Sequence, residues 1–164
     1  MTQRHLIGRY LKDLSPGRLD WIGLRPARKA DMINVEAVMA LAELGLEGDH
    51  RCDKTPGSGR QVTLIAAESI RTVEIYTGHL HIAPELLRHN LVVSGINLNL
   101  LRHQQFRIGD ALFEATALCH PCSRMDQALG KGGAATMFGY GGLCAKILET
   151  GVIRVGDRLV PVIG

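Results

Sequence analysis

The sequence predicts a mainly β protein: a closed, mostly antiparallel β-barrel with a few short helices. Three observations carry this. Short apolar runs rich in β-branched residues are separated by glycines, of which the chain has 19 in 164 residues. These runs do not alternate with long helical segments, which disfavours a doubly wound α/β sheet. A turn motif also recurs: Arg107-Ile-Gly-Asp-Ala-Leu-Phe113 is echoed by Arg154-Val-Gly-Asp-Arg-Leu-Val160, with a third Gly-Asp at Gly48-Asp49. Glycine supplies a positive φ and aspartate bonds nearby backbone, so each copy reads as a tight turn between strands. Several tight corners suit a sheet that closes on itself and so removes its exposed edges.

The elements follow in order. Strands are expected at Leu19 to Leu24, Ile33 to Ala40, Gln61 to Ile65, Leu91 to Val93 and Ala111 to Leu118. Leu143 to Glu149 lies between a glycine cluster and Gly151 and reads as a strand. The last two runs are Val152 to Val155 and Arg158 to Ile163, where Pro161 suggests an edge or terminal position. Helical spacing is clearest at Ala66 to Tyr76, where Ile70, Val73 and Tyr76 share a face. Ala83 to Arg88, with Pro84 near its start, reads as a turn or two of helix. Six glycines between Gly130 and Gly142 read as a loop.

Composition narrows the function. The length fits one core, so residues 1–164 are expected to form one domain with its centre at about 19–163. A net charge of +3 is too mild for nucleic-acid binding, yet it is compatible with a local basic pocket for a small anion. Seven aromatic residues do not make a stacking ladder for single-stranded nucleic acid. No apolar run approaches the roughly 20 residues that span a bilayer, and the first 15 residues carry no secretory pattern. The expectation is a cytoplasmic protein without membrane or nucleic-acid partners. Its four cysteines are then buried, metal-binding or reactive thiols rather than disulfides.

The segment Leu118-Cys-His-Pro-Cys-Ser-Arg-Met125 is the most informative. Cys119 and Cys122 have CxxC spacing and admit three readings. A structural zinc needs four ligands, and only Cys52 and His50 offer to complete a set. A dithiol redox pair needs a helix N-terminus in a βαβ setting, which the β-rich pattern does not provide. The third is one activated thiolate at Cys122, near His120, Arg124 and Lys131, with Cys119 a buried continuation of the strand. A second cluster is Arg88-His-Asn90 before an apolar strand, where an arginine at a strand mouth suits a phosphate. Arg60 is a weaker basic candidate. Gly57-Ser58-Gly59-Arg60 and Gly130-Lys131-Gly132-Gly133 both fail the P-loop template. His79 and His81 form an HxH pair after a helix.

Five segments in order resemble the MOSC family, named for the C-terminal domain of molybdenum cofactor sulfurase. They are Gly45-Leu-Glu-Gly-Asp-His50, Arg60 to Ile65, Arg88 to Leu98, Phe106 to Met125 and Glu149 to Val162. The resemblance implies a barrel that binds the molybdenum cofactor (Mo-molybdopterin). Its family cysteine, a metal ligand or sulfur carrier, maps onto Cys122. The family's Arg-x-Asn maps onto Arg88 and Asn90 as pterin or phosphate contacts; Arg60 and Lys131 are added from charge. The implied activity is reduction of N-hydroxylated small molecules at a Cys-ligated molybdenum centre. These residues include neither a pyridoxal-phosphate sulfurase segment nor a ferredoxin segment, so an external electron donor would be needed. The alternative is a sulfur carrier that holds a persulfide on Cys122, loaded by a cysteine desulfurase.

Overall fold

A computed structural model describes residues 1–163 and shows the expected architecture. After a short helix α1 (Gln3–Gly8), strands β1 (Gly17–Leu24), β2 (Ile33–Val35), β3 (Ala37–Leu41), β4 (Gly45–Leu46) and β5 (Val62–Ala66) follow. Helices α2 (Ala67–Thr77) and α3 (Pro84–Leu87) then lead to β6 (Leu91–Ser94), β7 (Gln105–Ile108) and β8 (Ala111–Leu118). Helices α4 (Arg124–Leu129) and α5 (Gly133–Met137) precede β9 (Leu143–Glu149), β10 (Gly151–Arg154) and β11 (Arg158–Pro161). The large sheet runs β11-β7-β8-β9-β5-β6-β1-β2, and β11 also pairs with β1, which closes seven strands into a barrel. A small sheet, β10-β3-β4, is attached to it.

The Gly-Asp copies at Gly109 and Gly156 lie at strand corners with φ of +53° and +98°. The expected strand at residues 33–40 is split at Glu36, because β2 pairs with β1 while β3 pairs with β10. Glu36 is the corner: its carbonyl accepts from the Val155 N–H. The glycine stretch expected as a loop contains α5, while β4 and β7 are too short to announce themselves by alternation.

Two cores hold the fold. The barrel interior packs Leu19, Ile22, Leu64, Phe106, Phe113 and Ile147, and the rings of Phe106 and Phe113 stack with centroids 5.4 Å apart. Outside the barrel, Ile65 and Val92 meet Ile70, Val73, Leu87, Met125, Leu129 and Met137 from the helices. Alternating residues of β5 thus feed both cores, as the period of a strand requires. Tyr76 does not join its expected partners Ile70 and Val73; it is 60% exposed and its ring leans on Tyr140.

A polar knot ties the strands at one end of the barrel. Asn90, just before β6, is fully buried. Its amide donates to the Gly23 carbonyl (3.0 Å) and to Asp49 (2.9 Å), and its oxygen accepts from the Thr63 N–H and from Arg25 (both 3.2 Å). Asp49 in turn accepts from the Arg25 backbone and side chain and from the Arg51 N–H. One side chain therefore fixes β1, β5, β6 and the turn after β4. Burial works against ionising Asp49, but the Arg25 guanidinium, the two backbone N–H groups and the Asn90 amide outweigh it and hold its carboxyl below the usual range.

Two outcomes are expected. Gly142 has φ +85°, and a Cβ there would overlap the Leu64 carbonyl; at Gly139, φ +83°, the space is open. In urea unfolding Gly142→Ala should cost at least about 3 kcal/mol, and Gly139→Ala only about 1 kcal/mol. For Asp49 the folded value lies below the unfolded one of about 3.9, so its contribution is complete above that pH and is lost as pH falls through the folded value. Asp49→Asn should therefore destabilise by about 3 kcal/mol near pH 7, with the gap to the parent closing below about pH 4 in pH-dependent melts.

Candidate functional site: a cationic cavity with two thiol positions

Beside the knot, where the ends of β1 and β8 meet the starts of β5 and β6, a cavity of about 810 Å³ opens. Among the described residues its wall carries six arginines and two lysines and no aspartate or glutamate. A chain with a net charge of only +3 thus gathers eight of its 19 basic side chains around one space. The volume lies within the range of small-molecule sites, about 300–1,000 Å³.

Each cation is placed by a different piece of chain. Arg25 follows β1 and is held by Asp49. Arg28 and Lys29 lie on the β1–β2 connection, Lys29 with φ +64°. Arg51 comes from the 3-10 turn His50–Asp53, with Lys54 just after it. Arg60 precedes β5. Arg88 caps α3 in the left-handed region (φ +60°) and donates to the Ala30 carbonyl at 2.6 Å, tying α3 to the β1–β2 connection. Crowding shows electrostatically. Burial, then Arg25 and Arg60, lowers the value of Arg51; burial, then Arg25 and Arg124, lowers that of Arg88. His50 is lowered too, chiefly by burial. The Nε of Arg51 is buried and has no hydrogen-bond partner among the described residues.

Of the residues expected from sequence, Arg60, Arg88 and Cys122 all line this cavity, and so does His120. Cys122 is exposed, on the irregular stretch between β8 and α4. Asn90 lies beneath the wall rather than in it; all its polar atoms serve the knot, so it positions Arg25 and Thr63. Lys131 is exposed and outside the cavity lining. Cys119, expected as a buried continuation of the strand, is half-buried and lines the wall, with the Arg60 guanidinium 3.9 Å from its sulfur. Of the postulated partners of the CxxC, His50 lines the same cavity, while the Cys52 thiol donates to the Leu46 carbonyl and burial raises its value. Among the described residues no three His, Cys, Asp or Glu side chains form a metal-holding group. His79 faces the Leu129 carbonyl and His81 lies 3.8 Å from Glu74.

Sequence reasoning missed Arg25, Arg28, Lys29, Arg51 and Lys54 as cavity residues, and it gave Cys144 no role. The basic runs Arg25-Pro-Ala-Arg-Lys29 and His50-Arg-Cys-Asp-Lys54 were visible signals, but nothing in them says they face the same space. Cys144 is buried on β9, opposite Thr63. A hydrogen bond from Cys119 draws its value down to about 7, with burial opposing and Arg60, Arg51 and Arg25 assisting. The same contact with Cys144, and burial, push Cys119 up to about 12. Cys144 therefore gives up its proton before Cys119 does, a bias the arginines assist.

Among the described residues no helix is long and apolar enough to cross a membrane. No curated protein sequence matches the chain. Solved structures share its fold. The YUAD protein from Bacillus subtilis superposes with a TM-score of 0.75 at 16% identity, over 88% of this chain and 94% of that one. YiiM from Escherichia coli gives 0.66 at 22% identity, over 88% and 69%. YiiM from Geobacillus stearothermophilus gives 0.70 at 18%, over 90% and 75%. A model of the MOSC domain matches residues 50–160, a span that includes β5 to β11 and most of the cavity wall, and the chain therefore belongs to the MOSC domain family.

Proposed function

We propose that this protein binds the molybdenum cofactor in the cationic cavity and, with an external electron donor, reduces N-hydroxylated small molecules there. The observation that carries the reading is the wall itself: eight cations, no carboxylate and a buried, unpartnered Arg51 Nε around a space of about 810 Å³. A pterin that bears phosphate supplies what this wall lacks, namely acceptor oxygens and negative charge. Arg51, Arg60 and Arg88 would hold its anionic groups, and Cys122 would offer a soft thiolate to the metal. When bound, the cofactor supplies two-electron redox chemistry.

The chain's own residues do the rest. Arg25 is held on Asp49 and Arg88 on Ala30, so two guanidinium groups are oriented before any ligand arrives. Leu87, Met125 and Met137 give the wall an apolar side against which a flat heterocycle can pack. His120 stands in the same wall as Cys122 and would be available there to hold or pass a proton. A second reading, a sulfur carrier with a Cys122 persulfide, draws support from the exposure of Cys122, since a carrier thiol must reach its donor.

Material made in a molybdenum-replete, cofactor-competent host should contain molybdenum near one atom per chain by elemental analysis. Cys122→Ser should keep the fold, because the side chain is exposed, and lose at least about nine-tenths of the metal. Unchanged molybdenum would remove Cys122 as a ligand. A persulfide trapped on Cys122 in metal-free material would favour the carrier. Arg51→Gln should weaken binding of inorganic phosphate about tenfold by calorimetry, with affinity falling as salt rises from 50 to 200 mM as screening requires.

A further inference from the structure

Cys119 and Cys144 are the thiols that neither reading uses, and the structure places them together. The Cys119 N–H donates to the Gly142 carbonyl at 2.8 Å. Ala117 pairs with Cys144 and Leu118 with Leu143, so Cys119 stands opposite Gly142, one step diagonal from Cys144 and on the same face of the sheet. That face also carries Thr63 and forms part of the cavity wall. Cys119 is the accessible member; Cys144 is buried behind it. The Arg60 guanidinium lies 3.9 Å from the Cys119 sulfur, which stabilises a negative charge on the pair.

We propose that Cys119 and Cys144 form a cross-strand redox dithiol in the cavity wall, which exchanges with small-molecule disulfides and closes reversibly to an intramolecular disulfide. The site is separate from Cys122 and does not rest on the cofactor reading. Cys119, the accessible member, passes its proton to the Cys144 thiolate and attacks one sulfur of R–S–S–R; the S–S bond breaks, a mixed disulfide forms on Cys119 and RS⁻ leaves. The second cysteine gives its proton to that thiolate and attacks the protein sulfur of the mixed disulfide, releasing the other RS⁻. Two protein thiols are oxidised and one small disulfide is reduced to two thiols.

The fold allows the movement this needs. Diagonal neighbours on antiparallel strands stand farther apart than the Cβ separation of about 3.8 Å in a disulfide. Cys144 is locked in the middle of the sheet between Thr63 and Ala117. Cys119 is the first residue past β8, and residues 119–122 form no regular element, so the adjustment falls on this stretch. The CxxC spacing suggested Cys119 and Cys122 as partners; the sheet register gives Cys119 a different one.

The test uses the full-length, reduced protein, titrated with oxidised glutathione and read by intact mass and non-reducing peptide mapping. The expected product is about 2 Da lighter, with one cross-linked peptide joining Cys119 to Cys144. The same cross-link is expected in Cys122→Ser, whose molybdenum content reports separately on the cofactor reading. Arg60→Gln should slow closure by about tenfold, since its guanidinium favours the attacking thiolate. A Cys119–Cys122 cross-link would overturn the proposal. So would glutathione adducts on Cys122 alone, with Cys119 and Cys144 both still open to alkylation in the unfolded, quenched protein.

Discussion

The buried knot of Asn90, Asp49 and Arg25 is the interaction on which the rest depends. Each partner comes from a different part of the chain, and each polar atom of the Asn90 amide is matched. A buried amide left half-matched is costly, so register errors in β1, β5 or β6 are penalised at once. The knot also leaves one carboxylate under a wall of cations. Asp49 faces inward to Arg25 and Asn90, so it anchors the wall without neutralising the cavity that the wall surrounds.

That arrangement stores unfavourable energy. Eight cations around one space repel one another, and burial first, then this repulsion, lowers the values of Arg51 and Arg88. The cost is offset locally, by the Ala30 carbonyl on Arg88 and by Asp49 on Arg25. A ligand that binds only the folded state adds its own stability, so the folded protein gains most when the cavity is filled.

The cysteines divide by the backbone that carries them. Cys144 is held in a central strand, Cys119 stands at a strand end, and Cys122 lies on irregular chain in contact with solvent. Exposure rises in that order. Two kinds of sulfur chemistry can therefore share a wall: an exposed thiol that reaches outward, and a paired thiol whose charge is set by Arg60 and by its neighbour.

Local pattern was enough for the fold class. Glycine-bounded β-branched runs and the repeated Gly-Asp corners require a curved sheet, because strand periodicity and positive φ are properties of a few adjacent residues. Of the residues singled out in sequence, Arg60 and Arg88 lie just before strands and Cys122 on the irregular stretch after β8, and all three line the cavity. Other assignments depend on distance in space. Asn90 reads in sequence as a contact residue, yet it is buried, because Gly23, Asp49 and Thr63 converge on it from segments 27 to 67 residues away. Arg25 and Arg51 join the site, and Cys144 comes to lie behind Cys119, only when barrel closure brings β1, the turn after β4 and β9 together. Residue type and spacing determined the strands, the corners and the exposed thiol of this protein. Which cations share a cavity and which thiols stand together were decided by tertiary structure, since both depend on non-local strand register.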